Sequence, residues 1–211
     1  MPRSQDPSPT PGEARDPTRV PARPGLPRAV DVALAAVGLA AASPVLGLAA
    51  LAIKLTSRGS VLYRQRRVGK DGEAFEVLKL RTMRPGADPV GVGTPVLEDD
   101  PRVTPVGRFL RRFSLDEIPN LVNVLRGEMA IVGPRPTLVA QVELYTPRQR
   151  RRLEVKPGLT GWAQVNGRAG IPWDERIELD VWYVDHRSPR LDLRILGRTV
   201  RLLASGHGLY G

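Results

Sequence analysis

The sequence predicts a small α/β domain fastened to one face of a membrane, a monotopic arrangement with a re-entrant N-terminal helix, a β-hairpin and interfacial amphipathic helices. Three observations predict it. No charged residue occurs between Val32 and Ile53. Hydrophobicity then alternates on both sides of a "GKDG" turn, the two-residue period of a half-buried hairpin. Farther on, arginines alternate with apolar side chains at helical spacing, a pattern suited to helices lying in a lipid interface.

Composition narrows the chemistry before any motif is read. The 211 residues suffice for one domain with a real core. Cysteine is absent, which excludes disulfides, thiolate metal sites and cysteine nucleophiles. With only His186 and His207, a multi-histidine metal site or a Ser-His-Asp triad is not expected. Acid, base, nucleophile and metal work therefore falls to carboxylates. The formal net charge is +10, and only four of the 32 basic residues are lysines. Such a surplus suits nucleic acid, phosphorylated substrates or anionic membrane lipid. A genome biased towards Arg, Ala, Gly and Pro would produce it as well.

Residues 1–27 are proline-rich, nearly free of large apolar side chains, and read as a disordered tail. It is not a signal peptide, because no apolar run follows a charged start in the first twenty residues. Residues 28–55 are the membrane helix. Its uncharged length matches the roughly 20 residues of a bilayer span. Pro44 in the middle removes a helix hydrogen bond, and Ser43 can help satisfy the freed backbone. Both flanks are basic, Arg28 before and Lys54 and Arg58 after, which calls for both ends on the cytoplasmic side. A helix that enters, bends at Ser43-Pro44 and returns meets both demands. Each arm, roughly 20 Å at 1.5 Å per residue, is too short to cross a core about 30 Å thick. Asp31 would then lie at headgroup depth. A kinked spanning helix and a buried soluble helix are the alternatives.

Residues 56–206 form the folded domain. In its hairpin Gly69 and Gly72 frame the turn. Phe75, Val77, Lys79 and Arg81 share one face of the second strand, and Glu76, Leu78 and Leu80 share the other. Two cations on one face can reach one anion, or can belong to an ordinary solvated surface. Residues 84–101, rich in Gly, Pro and Asp, read as a loop. The stretch "TPVGRFLRRF", 104–113, reads as a short helix capped by Thr104 with Pro105 in its first position. It interleaves Val106, Phe109, Leu110 and Phe113 with Arg108, Arg111 and Arg112. "KPGLTGWAQVNGR", 156–168, reads as a turn, a strand from Trp162 to Val165, and an Asn166-Gly167 turn presenting Arg168. Residues 188–206 read as a helix with Arg190, Arg194, Arg198 and Arg201 in one stripe. It suits either a membrane surface or a packed helix with solvated arginines.

"SLDEIPNLVNVLRGEM", 114–129, sets Asp116 beside Glu117. Ser114 and Glu117 fit a capping box, a purely structural reading. Pro119 fits the first helical position, which leaves both acids in the turn leading into a helix that Gly127 stops. Near a helix N-terminus the macrodipole favours ionised carboxylates. Such groups can hold Mg²⁺ or attack phosphorus. In "GPRP", 133–136, the second proline pushes Arg135 towards extended backbone. A pinned guanidinium loses little freedom when it grips phosphate. Neither a P-loop nor a strand-linked G-x-G-x-x-G occurs, so phosphate binding must rest on arginines, a helix N-terminus and a metal.

Five stretches, "SPVLGLAALAIKL", "RVGKDGEAFEVLKLRTM", "LRRFSLDEIPNLVNVLRGEMAIVGPRP", "KPGLTGWAQVNGR" and "LDVWYV", resemble the bacterial sugar transferases, the monotopic phosphoglycosyl transferases. They run in family order over about residues 28 to 200, and the chain looks like the minimal catalytic form. The resemblance implies transfer of a sugar 1-phosphate from a UDP-sugar to undecaprenyl phosphate, with release of UMP, as the first step of a surface glycan. It implies a place on the bacterial inner membrane with the catalytic domain on the cytoplasmic face, and residues 56–206 as that domain. Carried over residue by residue, Asp116 is the nucleophile and Glu117 helps hold Mg²⁺. Lys79, Arg81, Arg111, Arg135 and Arg168 are the candidate phosphate ligands. Ile118, Asn120 and Val122 depart from the family's common Leu, Gln and Trp without touching the acid pair. The sugar and the oligomeric state are not implied. Specificity is expected in 84–101 and 167–180. A basic nucleic-acid-binding module and a catalytically silent membrane scaffold are the competing readings. Low aromatic content, the long apolar segment and the intact acid pair weigh against them, so no nucleic-acid partner is expected.

Overall fold

Alanine and leucine, strong helix formers, dominate the first element. α1 spans Arg28–Thr56 as one helix with Pro44 inside it. The proline removes the donor that would have reached the Ala40 carbonyl. Ser43 Oγ supplies another at 2.8 Å, so the expected Ser43-Pro44 compensation is present. The computed structural model describes residues 21–87, 100–167 and 171–204.

Both ends of α1 pack on the same domain. Near its start Ala35 enters the main core, and near its end Ala49 and Ile53 pack with Leu80 and Leu110. Between them Val37, Val45 and Leu48 are exposed. Asp31, expected at headgroup depth, faces protein. It is buried, and its Oδ1 accepts the Ile131 N–H at 3.0 Å, because a strand edge packs against this arm and needs an acceptor. The body also begins earlier than the tail assignment places it. Ala22 packs against the main core, and Leu26 N–H donates to Asp192 Oδ2 at 2.8 Å.

The hairpin forms as the alternation predicts. β1 (Leu62–Val68) pairs antiparallel with β2 (Ala74–Leu80) across a turn in which Asp71 and Gly72 have φ of 56° and 85°. The register sets Tyr63 opposite Lys79, Gln65 opposite Val77, and Arg67 opposite Phe75. Directly opposed residues share a face. α2 (Pro105–Arg112) has the predicted cap: Thr104 Oγ1 accepts the Gly107 N–H at 2.9 Å. α3 (Asn120–Arg126) ends at Gly127, whose φ of 87° is the left-handed stop expected there. Buried Asn120 and Asn123 on α3 both accept the Leu78 N–H, at 3.1 and 3.2 Å, and Asn123 Nδ2 donates to the Glu76 carbonyl. Two side chains thus take the place of a third strand beside β2.

β3 (Ala130–Val132) pairs parallel with β4 (Gly158–Thr160). α4 (Val139–Glu143) and α5 (Pro147–Arg150) lie between them in sequence. The strand expected at Trp162–Val165 is instead the short helix α6 (Trp162–Asn166). Strand pairing ends at Thr160, and Gly161 packs so closely on the Gly133 carbonyl and Gln164 that the chain turns away. α7 (Trp173–His186) makes most of the expected 167–180 specificity region helical, while 88–99 of the other expected region lies outside the described residues. α8 (Pro189–Ala204) buries Leu191, Ile195 and Thr199 and leaves Leu193, Val200 and Leu203 exposed. It therefore has a packed face and an outward apolar face, with the arginines between them.

Gly107 sits against the Thr82 carbonyl, where a Cβ would fall well inside van der Waals contact. Gly107→Ala must push α2 away from the Thr82 segment that follows β2. It is expected to destabilise the protein by about 1–3 kcal/mol, read as a lower thermal midpoint in detergent.

Candidate active site

The Asp116–Glu117 pair lies in a 3-10 turn, Leu115–Glu117, between α2 and α3. Ser114 adopts left-handed backbone, φ 54°, and its side chain does not cap the turn. The expected capping box is therefore not formed. Ser114 N–H donates to the Arg111 carbonyl, and the Glu117 side chain turns into the protein. The regular helix begins after Pro119, with both acids ahead of it, as the alternative reading of the proline anticipates.

Glu117 is 5% exposed and closely held. Its Oε1 accepts from Lys79 Nζ at 2.5 Å and from Arg135 Nη2 at 2.9 Å, and its Oε2 accepts from Arg135 Nη1 at 3.4 Å. Burial alone would favour the protonated acid, but Arg135 and Lys79 outweigh it and hold the carboxyl down to about 2. Asp116 is 8% exposed and accepts no hydrogen bond among the described residues. Burial, then the neighbouring Glu117 charge, push its carboxyl up to about 6 against the pull of Lys79, Arg111 and Arg135. Adjacent acids thus occupy opposite regimes.

The other expected ligands divide. Lys79 and Arg135 meet at Glu117, and Arg111 stands near Asp116 with its Nε donating to Thr82 Oγ1 at 2.9 Å. Arg81 is not brought to the acids. Its guanidinium donates to the Arg58 carbonyl at 2.8 Å and to the Ser57 carbonyl at 3.0 Å, tying down the end of α1. Its backbone N–H still donates to the Val61 carbonyl at 2.8 Å, but the carbonyls at the end of α1 capture its side chain. Arg168 lies outside the described residues.

Two features join the site that sequence reasoning missed. Arg67 lines the same cleft as Lys79, Glu117 and Arg135. The hairpin register, counted from the "GKDG" turn, puts it on the Lys79 face, so a signal was available. Behind Arg135 lies a buried pair, Arg152 and Asp180. Arg152 donates to the Arg135 carbonyl at 3.0 Å, to Tyr145 Oη and to Asp180 Oδ2. Burial pushes the Asp180 carboxyl up to about 6 despite Arg152. Asp180 belongs to "LDVWYV", where no local pattern reveals a partner 28 residues upstream.

No group of three acidic or histidine side chains able to hold a metal occurs among the described residues. Magnesium commonly takes one or two carboxylates together with substrate phosphates and water. The donor set here, Asp116 beside Glu117, fits that mode and not a closed protein cage.

A buried acid pair ringed by guanidinium and ammonium groups is suited to handling phosphate. The sequence profile described as "Bacterial sugar transferase" matches residues 23–206, and the chain belongs to that family. It is 44% identical over 184 residues to EpsL, an uncharacterized sugar transferase of Bacillus subtilis, covering 87% of this chain and 90% of that one. It is 46% identical over 185 residues to the UDP-glucose:undecaprenyl-phosphate glucose-1-phosphate transferase of Escherichia coli, covering 83% of this chain but 39% of that longer protein. The Rhizobium meliloti exopolysaccharide production protein ExoY is 39% identical over 197 residues, with 87% of each chain covered.

Asp116 carries its charge at a cost to the fold. Its folded value, about 6, lies above the ordinary 3.8, so its ionisation destabilises the protein as pH rises through that interval. Removing the charge by Asp116→Asn should raise stability at pH 8 by up to about 3 kcal/mol, since a tenfold change in proton affinity is worth about 1.4 kcal/mol. The gain should shrink at pH 4.5, where the folded carboxyl is already protonated. Denaturation midpoints of both proteins at the two pH values check this.

Proposed function

We propose that the protein transfers a sugar 1-phosphate from a UDP-sugar to undecaprenyl phosphate and releases UMP, through a covalent phosphosugar on Asp116. One observation carries this reading: of two adjacent acids, Glu117 is clamped by Lys79 and Arg135 while Asp116 has lone pairs free of hydrogen bonds among the described residues. A carboxylate committed to two cations is a poor nucleophile. Its uncommitted neighbour, in the field of the same cations, is a good one. The relatives from Escherichia coli and Caulobacter vibrioides, named for UDP-glucose and undecaprenyl phosphate, support the same substrates here.

In the first step an Asp116 carboxylate oxygen attacks the phosphorus that bears the sugar, and the bond from that phosphorus to the UMP oxygen breaks. In the second, a phosphate oxygen of the polyprenol attacks the same phosphorus. The Asp116 bond breaks, leaving a polyprenyl diphosphate sugar and a free carboxylate. Phosphoryl transfer depends on positioning and charge neutralisation, and Lys79, Arg111 and Arg135 stand where they supply both. Mg²⁺ held beside Asp116 and Glu117 would neutralise charge on the departing nucleotide. Glu117 in addition fixes Lys79 and Arg135 in place.

The membrane reading rests on apolar surface. Both arms of α1 pack on one domain while the middle is bare, which favours a re-entrant helix over a span. Phe109 and Phe113 on α2 are exposed, and so are Leu193, Val200 and Leu203 beside the arginines of α8. A catalyst seated at the cytoplasmic leaflet meets a soluble donor and a lipid acceptor in one plane. The ExoY relatives, named for exopolysaccharide production, support a role at the start of surface polysaccharide synthesis.

UMP release in vesicles containing undecaprenyl phosphate tests the activity. A panel of UDP-sugars should reveal one that is turned over, and Asp116→Asn should lower that rate at least ~1000-fold while binding vesicles normally. Near-normal turnover by the variant would remove Asp116 as nucleophile. Topology is tested separately in this cysteine-free chain. Single cysteines replacing Arg23 and Arg58 should both label from the cytoplasmic face, and labelling from opposite faces would mean that α1 spans.

A further inference from the structure

We propose that Arg67 is a phosphate-binding residue of this site, gripping the diphosphate of the nucleotide-sugar donor alongside Arg135. The inference rests on the donor reading given above and adds a residue to it. The hairpin register puts Arg67 on the β1 face opposite Phe75, in line with Gln65 and with Lys79 across the ladder. Its guanidinium is held at two of its edges. Nε and Nη2 donate to Gln65 Oε1 at 3.1 and 2.7 Å, and Nη1 donates to the Pro136 carbonyl at 3.3 Å. One N–H on each terminal nitrogen is left without a partner among the described residues. Two free donors on a half-buried, fixed guanidinium are available to phosphate oxygens.

Charge in the cleft points to the same ligand. Arg67 binds only neutral acceptors, and Glu117 is already taken by Lys79 and Arg135. Burial, and then the nearby Arg135 charge, depress the Arg67 guanidinium to about 10. Arg67, Lys79, Arg111 and Arg135 outnumber the two carboxylates they face, so the cleft favours an anion such as the diphosphate of a nucleotide sugar. The competing role, fastening β1 to the Pro136 segment, uses only the Nη1 bond and needs no ligand.

Donor kinetics of the full-length protein in vesicles separate the two roles. Arg67→Gln should raise the donor KM roughly 10- to 100-fold, the loss of a charge-assisted contact. It should weaken inhibition by added UMP to a similar extent, with a smaller change in kcat. Arg67→Lys, which keeps the charge without the fork, should fall between. If Arg67→Gln does not fold, Arg67→Lys alone decides: a raised donor KM upholds the proposal. A donor KM and UMP inhibition within twofold of wild type, with only the thermal midpoint lowered, would overturn it and leave the proposed function standing. A wild type that releases no UMP from any donor overturns both.

Discussion

The site depends on the grip of Lys79 and Arg135 on Glu117. Three chain segments meet there: the second hairpin strand, the turn between α2 and α3, and the loop after β3. Burying the glutamate costs desolvation, and burying the lysine costs it again. The pair is tolerable because charge meets charge at short range and Arg135 closes a second fork. Remove either cation and a buried anion is left short of a partner, a far larger penalty than any surface ion pair carries.

That grip also makes the neighbouring acids different. Glu117 stays ionised because it is clamped, and its fixed charge helps push Asp116 up. An aspartate near neutrality, close to several cations yet bonded to none of the described residues, is held in a costly state. Such local expense is common where chemistry is done. The support extends outward in layers. Arg152 and Asp180 hold the Arg135 backbone, Asn120 and Asn123 hold the Leu78 backbone next to Lys79, and Thr82 holds Arg111. Each contact crosses between elements distant in sequence.

Much of this is legible in the sequence, and the reasons differ by residue. Thr104-Pro105, Gly127 and the Gly69–Gly72 turn are local signals, and the structure has them where the pattern puts them. Asp116 and Glu117 stand out for the same reason. The capping box at Ser114 is a local signal that fails, because Lys79, 38 residues away, competes for the glutamate and wins. The Trp162–Val165 segment is too short for periodicity to separate strand from helix, and the close packing of Gly161 decides it. Arg81 misleads because the Ser57 and Arg58 carbonyls, distant in sequence, capture its guanidinium. Arg67 is readable from the register, and Arg152–Asp180 is not, since nothing local marks a buried pair. Asp31 illustrates the same limit: an acid at the edge of an apolar run looks solvated until a strand edge is found beside it.

Chemistry and location are joined through β2 and α1. Lys79 belongs to the strand whose last residue, Leu80, packs on the C-terminal end of α1, and Arg81 ties that end to the same strand. The acid pair is thereby fixed relative to the exposed apolar surface of α1. The most direct test of the central claim is intact-protein and peptide mass spectrometry after mixing the protein with its UDP-sugar alone and quenching in acid. The account predicts a mass increase of one sugar phosphate on the peptide containing Asp116, formed with a matching amount of UMP and discharged on adding undecaprenyl phosphate. Rapid turnover with both substrates but no adduct at Asp116 under donor-only conditions would contradict it.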